Sequence, residues 1–288
     1  MQSIKYPFEV KHLTIHDGID IAYCDEGSGD KTILFIHGLA NYLPVWKHQI
    51  DGLKNSIRCV AIDLPGNGLS SRGEFPYTMF FYAECIIKFI EKMNLKNVTL
   101  CGHSMGGQIA IIIALRHPQL IEKMVLISPA GLEYFNQHEV MMMKHAMSFG
   151  DFFYADEFHL ENTIRQSFYQ SKNESSNIIS DLKNILKKNK IKEWKDMSVA
   201  SINGMLNEQV NQFLPTIETK TLIIFGDKDQ LIPNKLIHFN DTPESIAKQG
   251  AELISHSAYK MIKDAGHFVQ IEKSSLVNEE IINWINAS

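Results

Sequence analysis

The pentapeptide Gly102-His103-Ser104-Met105-Gly106 is where this sequence most readily places chemistry. It follows an apolar run, Val98 to Cys101, that reads as a strand, and it opens a helical pattern, Gln108 to His117. A chain that turns sharply from strand into helix strains its central residue and crowds the flanking turns. Gly102 and Gly106 leave room where a Cβ would clash. Ser104 then projects from the tip of the turn, with the free N–H groups of a helix N-terminus behind it. The Met105 N–H is thereby placed to stabilise an oxyanion. A serine hydroxyl needs a base in reach, and the base needs a group that orients it. Two later segments offer both. Phe225-Gly226-Asp227-Lys228-Asp229-Gln230-Leu231-Ile232-Pro233 follows the strand-like Thr221 to Phe225. Asp264-Ala265-Gly266-His267-Phe268 follows Tyr259 to Ile262. Both would leave the C-terminal edge of a sheet, where open α/β sheets bind ligands. A lone histidine is more often structural than catalytic, but His267 completes an ordered Ser, Asp, His set. Either carboxylate could in principle face His267; Asp227, directly after Gly226, is the one more suited to accepting loop N–H groups.

A further segment, His37-Gly38-Leu39-Ala40, follows the apolar run Thr32 to Ile36 and can supply a second oxyanion donor, the Leu39 N–H. His37, at a strand end, is expected to brace loops by hydrogen bonding. The twelve histidines include no HExxH and no Cys/His ligand cluster, so no metal is assigned.

The elements that must position these residues follow from hydrophobic patterning. Phe8 to Ile15 and Ile19 to Cys24 flank the turn signal Asp17-Gly18 and read as a hairpin. Thr32 to Ile36, Ile57 to Ile62, Val98 to Cys101 and Met124 to Ile127 are short Ile/Leu/Val-rich runs, as strands buried on both faces require. Helical patterns lie between them at about 44–54, 77–93 and 105–117. This alternation predicts an α/β fold, a parallel sheet wrapped by helices. After Pro129-Ala130-Gly131 the character changes: 135–214 is helical in pattern and rich in Met, Phe, Asn and Lys. Strand signals return at Thr221, and a last amphipathic helix runs from about Ser275 to Ile285. The expected organisation is a core of 1–134 and 215–288, interrupted by a helical insertion of 135–214. Within the insertion, the Met and Phe residues between Met141 and Phe158 suit either an apolar pocket or internal packing. The lysine run at 187–195 is expected to be a solvated helix end.

The formal net charge of −5 gives no electrostatic reason to expect nucleic acid or an anionic membrane as partner. The four cysteines form no CxxC pair and are expected to be reduced core residues. The N-terminus has no apolar secretory h-region, and the longest apolar run, Ile109 to Leu115, is far shorter than the ~20 residues that span a bilayer. A soluble cytoplasmic protein is the expectation.

These residues together resemble the α/β-hydrolase superfamily, in particular its lid-bearing group. The resemblance rests on His37-Gly38, on Asp63-Leu64-Pro65-Gly66-Asn67-Gly68-Leu69-Ser70, on the turn at Ser104, and on the paired loops of Asp229 and His267, with Glu272 beyond. It covers residues of about 10–134 and 215–287. It implies a mostly parallel sheet with an antiparallel start, and an insertion that forms a helical cap over the site. It also implies that the acid is Asp229, which precedes an apolar pair and Pro233. Dehalogenase-like and epoxide-hydrolase-like members carry aspartate where this chain has Ser104. Members that cleave carbon–carbon bonds resemble it through Ser-Met-Gly-Gly, but usually carry Asn and Trp where this chain has His103 and Phe268. The single Gly38 before a bulky residue resembles an esterase pattern. The expected activity is therefore hydrolysis of a small or medium apolar carboxylic ester by Ser104, His267 and Asp229, with the Leu39 and Met105 N–H groups as oxyanion hole and no cofactor. Carbon–carbon bond hydrolysis, or a receptor built on the same fold with slow turnover, are the alternatives.

Overall fold

The computed structural model describes residues 6–16, 18–148, 157–170, 175–181, 183 and 191–287. Eight strands form one sheet in the order β1-β2-β4-β3-β5-β6-β7-β8. They are β1 (Lys11–His16), β2 (Ile19–Glu26), β3 (Thr32–Ile36), β4 (Arg58–Ile62), β5 (Val98–His103), β6 (Lys123–Ile127), β7 (Lys220–Gly226) and β8 (Ser257–Ile262). β1 pairs antiparallel with β2, and β2 antiparallel with β4; every other pairing is parallel.

The sheet's interior explains its composition. Every residue of β3, β5 and β6 is buried, because helices cover both faces and leave no polar side. The helix Met79–Lys92 packs on Met105–Arg116, and Lys47–Leu53 packs on Ser274–Asn286. Met79–Lys92 starts where the Thr78 hydroxyl accepts the Phe81 N–H at 3.1 Å. It turns Tyr82, Ala83, Ile86, Phe89 and Ile90 inward. A helix that the sequence reading does not place, Pro243–Leu253, packs on β7 and β8 behind a capping box of Thr242 and Ser245.

The strands begin and end close to the expected positions, with informative differences. β1 begins at Lys11 rather than Phe8, and Asp17 of the expected turn lies outside the described residues. β6 begins one residue early, at Lys123, whose Nζ donates to the carbonyls of Trp284, Ile285 and Ala287 at the end of the C-terminal helix. All four cysteines are buried and unpaired.

Between β6 and β7 the described residues contain helices Gln137–Ser148, Glu157–Gln166 and Ile191–Asn207, and no strand. Side chains tie this segment to the elements around the sheet. Tyr42 donates to Asp181 at 2.5 Å, and Tyr82 and Ser201 share a hydrogen bond of 3.0 Å. Lys192, in the expected lysine run, pairs with Asp196 on an exposed face, while 187–190 lie outside the described residues. Among the described residues no helix is long and apolar enough to cross a membrane.

Strand register brings the candidate residues to one edge. Ile36 of β3 pairs with Gly102 of β5, His103 with Ile127 of β6, and Gly226 of β7 with Ile262 of β8. The segments that follow these strand ends carry His37–Leu39, Ser104, Asp227–Asp229 and Asp264–His267.

Candidate active site

Ser104 stands between β5 and the helix Met105–Arg116 at φ 53°, ψ −119°, a conformation that side chains rarely adopt. Such strain costs of order 1–3 kcal/mol and persists only where the surroundings enforce it. Here the Ser104 N–H donates to Ile127 O at 3.0 Å, and Ser104 O accepts from Gly107 N at 2.8 Å and Ala130 N at 3.0 Å. The glycines are required by crowding. A Cβ on Gly102 would lie 2.3 Å from Gly106 O, and one on Gly106 would lie 2.3 Å from Ile36 O. The oxyanion-loop candidate approaches from the other side: a Cβ on Gly38 would lie 3.0 Å from the Ser104 Cβ. Asn41 holds that loop, its N–H donating to Gly38 O at 3.3 Å and its Nδ2 to Leu39 O at 3.1 Å. The structure therefore puts the backbone of Gly38 against the serine, while Met105 follows Ser104 directly as the first residue of the helix.

The two aspartates of the β7 loop have separate partners. Asp229 Oδ2 meets His267 Nδ1 at 2.8 Å, and its Oδ1 accepts the N–H groups of Leu231 at 2.8 Å and Ile232 at 3.1 Å. Both side chains are almost fully buried. A carboxylate engaged in this way only accepts, so the contact is made by an N–H on Nδ1 of His267. Asp227 instead pairs with Lys228 Nζ at 2.8 Å and accepts the Asp264 N–H at 2.7 Å. Its partial burial works against ionisation, but Lys228 and that N–H hold the carboxyl below the usual range. Asp227 thus ties the β7 loop to the β8 loop, and Asp229 reaches the imidazole.

The His267 loop is fastened by contacts between segments distant in sequence. The His267 N–H donates to Ser167 O at 2.8 Å. Glu272 accepts the Gly266 N–H on one oxygen at 2.5 Å, and the N–H groups of Tyr169 and Gln170 on the other, both at 2.9 Å. Phe268 stacks on Phe168 with ring centres 4.8 Å apart. The segment of Ser167 to Gln170 and the loop that carries the imidazole are therefore hydrogen-bonded to each other. The sequence pattern points to Glu272 without revealing these partners.

Two more histidines stand close by. His37 accepts the Leu64 N–H on Nε2 at 3.0 Å and donates Nδ1–H to Gly38 O at 2.8 Å, so it braces the Gly38 loop as expected. Burial pushes its pKa down to about 4, against the pull of Gly38 O. His103 donates Nε2–H to the His267 carbonyl at 3.0 Å. Burial, and then the neighbouring His267, hold it well below the usual imidazole range.

Ser104 and His267 open onto one cavity of about 220 Å3, walled by Leu39 and, from between β6 and β7, by Met143, Ile164 and Met205. Of the expected Met and Phe cluster, Met143 faces this cavity while Met141 and Met142 are exposed; Phe153 lies outside the described residues. Among the described residues no three His, Cys, Asp or Glu side chains come together as a metal site.

Residues 31–274 match the sequence model of a family described as alpha/beta hydrolase fold. Among curated proteins, the dihydrolipoyllysine-residue acetyltransferase component of the acetoin cleaving system of Cupriavidus necator is 28% identical over 265 residues, covering 91% of this chain and 65% of that protein. The chain thus spans less than two thirds of that relative's length. Among solved structures, a probable hydrolytic enzyme from Pseudomonas aeruginosa PAO1 superposes with a TM-score of 0.81 at 21% identity, over 98% of this chain and 96% of the other. An esterase from Exiguobacterium antarcticum gives 0.77 at 22% identity, over 96% and 99%.

Proposed function

This chain belongs to the α/β-hydrolase family, and we propose that within it the protein is a serine hydrolase that cleaves a carboxylic ester of a small or medium apolar substrate through an acyl-enzyme. The observation that carries the reading is the 2.8 Å contact of Asp229 with His267 Nδ1, on a cavity that Ser104 also lines. In this mechanism Ser104 Oγ attacks the acyl carbon while His267 Nε2 takes its proton. Asp229 fixes the tautomer and stabilises the imidazolium that forms. The N–H groups of Leu39 and Met105 hold the oxyanion; one such donor is worth ~3–4 kcal/mol in other enzymes. The imidazolium returns its proton to the departing alcohol, and water then repeats the sequence on the acyl-enzyme. No cofactor takes part. A serine in this position separates the chain from relatives whose nucleophile is aspartate.

Residues 135–214 serve in this reading as a cap on the core of 1–134 and 215–288. Supporting this role, Met143, Ile164 and Met205 of the insertion wall the cavity. The cap excludes water and shapes the pocket.

The test is labelling by a fluorophosphonate at stoichiometric amounts, with hydrolysis of 4-nitrophenyl acetate and a vinylogous diketone measured alongside. A single adduct located by mass spectrometry on Ser104, with turnover of the acetate, is expected. An adduct elsewhere, or none in folded protein, defeats the assignment. Turnover of the diketone alone moves the reading to carbon–carbon bond hydrolysis.

A further inference from the structure

Glu133 is the only Asp, Glu, Lys or Arg side chain among the described residues that line the cavity. It follows β6 closely: Ala130, whose N–H is bonded to Ser104 O, precedes it by three residues. Three residues span at most about 10 Å, so Glu133 lies within reach of a short substrate attached at Ser104. Its side chain is only 7% exposed.

One carboxylate oxygen is fully engaged. Oε1 accepts the Asn234 N–H at 2.7 Å and meets His238 Nδ1 at 2.5 Å. His238 is fixed in turn, stacked on Phe135 with ring centres 5.2 Å apart and with Nε2 at 3.7 Å from Glu139. No hydrogen bond from the described residues reaches Oε2. The polar neighbours on this wall have partners of their own. Gln209 is bound at both ends to the backbone of Phe135, and Gln108 Nε2 donates to the carbonyls of Met205 and Glu208. Asn234 receives the Leu236 N–H on Oδ1 and turns Nδ2 toward Met143. Burial holds the Glu133 carboxyl above the usual carboxylate range, with His238 and the Asn234 N–H drawing it only partway back. Oε2 is not sealed in the interior, so a donor or a cation can reach it.

We propose that Oε2 of Glu133 is a recognition point for a hydrogen-bond donor, strongest as an ammonium and weaker as a hydroxyl, at the end of the substrate remote from the scissile bond. The same carboxylate disfavours a substrate that carries a carboxylate there, since no lysine or arginine among the described residues lines the cavity to receive one. This narrows the ester-hydrolase reading to an otherwise apolar substrate with a polar far end, and rests on that reading for which molecule is cleaved.

Binding can be read without turnover. Hexylamine, 1-hexanol and hexanoate are titrated calorimetrically into the wild-type protein and into Glu133→Gln, with folding checked by circular dichroism. The wild type should bind hexylamine at least about tenfold more tightly than hexanoate, or 1.4 kcal/mol, with hexanol between. Glu133→Gln, which can still accept the Asn234 N–H, should bring the ratio within about threefold of one. Should it not fold, Glu133→Asp, which keeps the charge but draws it back, should lower the ratio. Equal binding in the wild type, a preference for hexanoate, or a ratio that neither variant changes overturns the proposal. If the ratio is as expected but Ser104 takes no fluorophosphonate, the recognition point stands and the esterase mechanism falls.

Discussion

Replacing Asp229 by Asn changes one atom and should stop the reaction, for a reason visible in its hydrogen bonds. Oδ1 accepts from Leu231 and Ile232, two donors on one side of the carboxyl. An asparagine can keep those bonds only by placing its carbonyl oxygen there; the flipped amide would set donor against donor. The amide nitrogen then occupies the position of Oδ2, 2.8 Å from His267 Nδ1. Facing a donor, Nδ1 becomes the acceptor, and the imidazole proton moves to Nε2. That tautomer cannot take the proton of Ser104. The comparable change in another serine hydrolase lowers kcat by ~10⁴, equivalent to about 5 kcal/mol at 1.36 kcal/mol per decade. Asp229→Asn should therefore lose about 10³–10⁴ in kcat, with KM within about threefold. With both backbone bonds kept, stability should fall by no more than about 1–2 kcal/mol. Asp227→Asn is the control. It loses a partly exposed pair with Lys228, worth about 1 kcal/mol or less, and can still accept the Asp264 N–H; its kcat should stay within about threefold. Steady-state hydrolysis of 4-nitrophenyl acetate and thermal melts of both variants decide the matter. A folded Asp229→Asn that retains a tenth or more of its kcat, or an Asp227→Asn that shows the large loss instead, refutes the reasoning.

Three other outcomes are expected. Gly38→Ala would set a Cβ 3.0 Å from the Ser104 Cβ, so the Leu39 N–H should be pushed off the oxyanion and kcat should fall by about 10²-fold or more; an unchanged kcat would remove that N–H from the mechanism. Burial lowers the His37 pKa from 6.5 to about 4 in the folded chain, so its contribution to stability is present above pH 6.5 and lost as pH falls toward 4. Denaturant titrations should show the stability of the wild type, relative to His37→Asn, shrinking by up to about 3 kcal/mol across that window, whereas a constant or growing difference contradicts a neutral buried imidazole. Met143→Ala should shift acyl-chain preference because Met143 lines the cavity, whereas exposed Met142→Ala should not; matching profiles on acetate to octanoate esters would show that neither shapes the pocket.

How much of this could be read beforehand depends on the range over which each feature is enforced. The turn at Ser104 is written in a few residues, because the clash that requires Gly102 and Gly106 arises within that turn and the neighbouring Ile36 carbonyl. The strands were legible because β3, β5 and β6 are buried on both faces and leave unbroken apolar runs. The helix Pro243–Leu253 was not, since Pro243, Ile246, Ala247 and Gly250 are its only buried residues and give too thin an apolar stripe. Its capping signal, Thr242 with Pro243 and Ser245, was there to be used. Met142 and Met143 differ by one helical step of about 100°, and nothing local says which of them points to the cavity. The fastening of the His267 loop to Ser167, Tyr169 and Gln170 joins segments about a hundred residues apart. So does the contact of Glu133 with His238. Their residue types carry no mutual signature, and only the assembled sheet brings them together.

The three histidines around Ser104 show why residue type underdetermines role. His37, His103 and His267 are all nearly inaccessible, at 0%, 1% and 3% exposure, so burial does not single out a base. Their partners do. Both nitrogens of His37 are bound to backbone, and a proton added at Nε2 would break the bond from Leu64 and leave a charge with only the Gly38 carbonyl to compensate it. His103 gives Nε2–H to a carbonyl, and its Nδ1 has no partner among the described residues; a proton there would be a buried cation beside a second imidazole. A charge buried without compensation costs several kcal/mol, so these two rings are held neutral and serve as struts, one under the Gly38 loop and one under the His267 loop. His267 alone of the three meets a carboxylate. In the proposed mechanism the charge on this ring would form against Asp229 rather than against apolar walls. The choice of base in the proposed mechanism therefore rests on where an imidazolium can exist, and the same reasoning makes Asp229, more than the histidine's place in the chain, the residue on which that proposal depends.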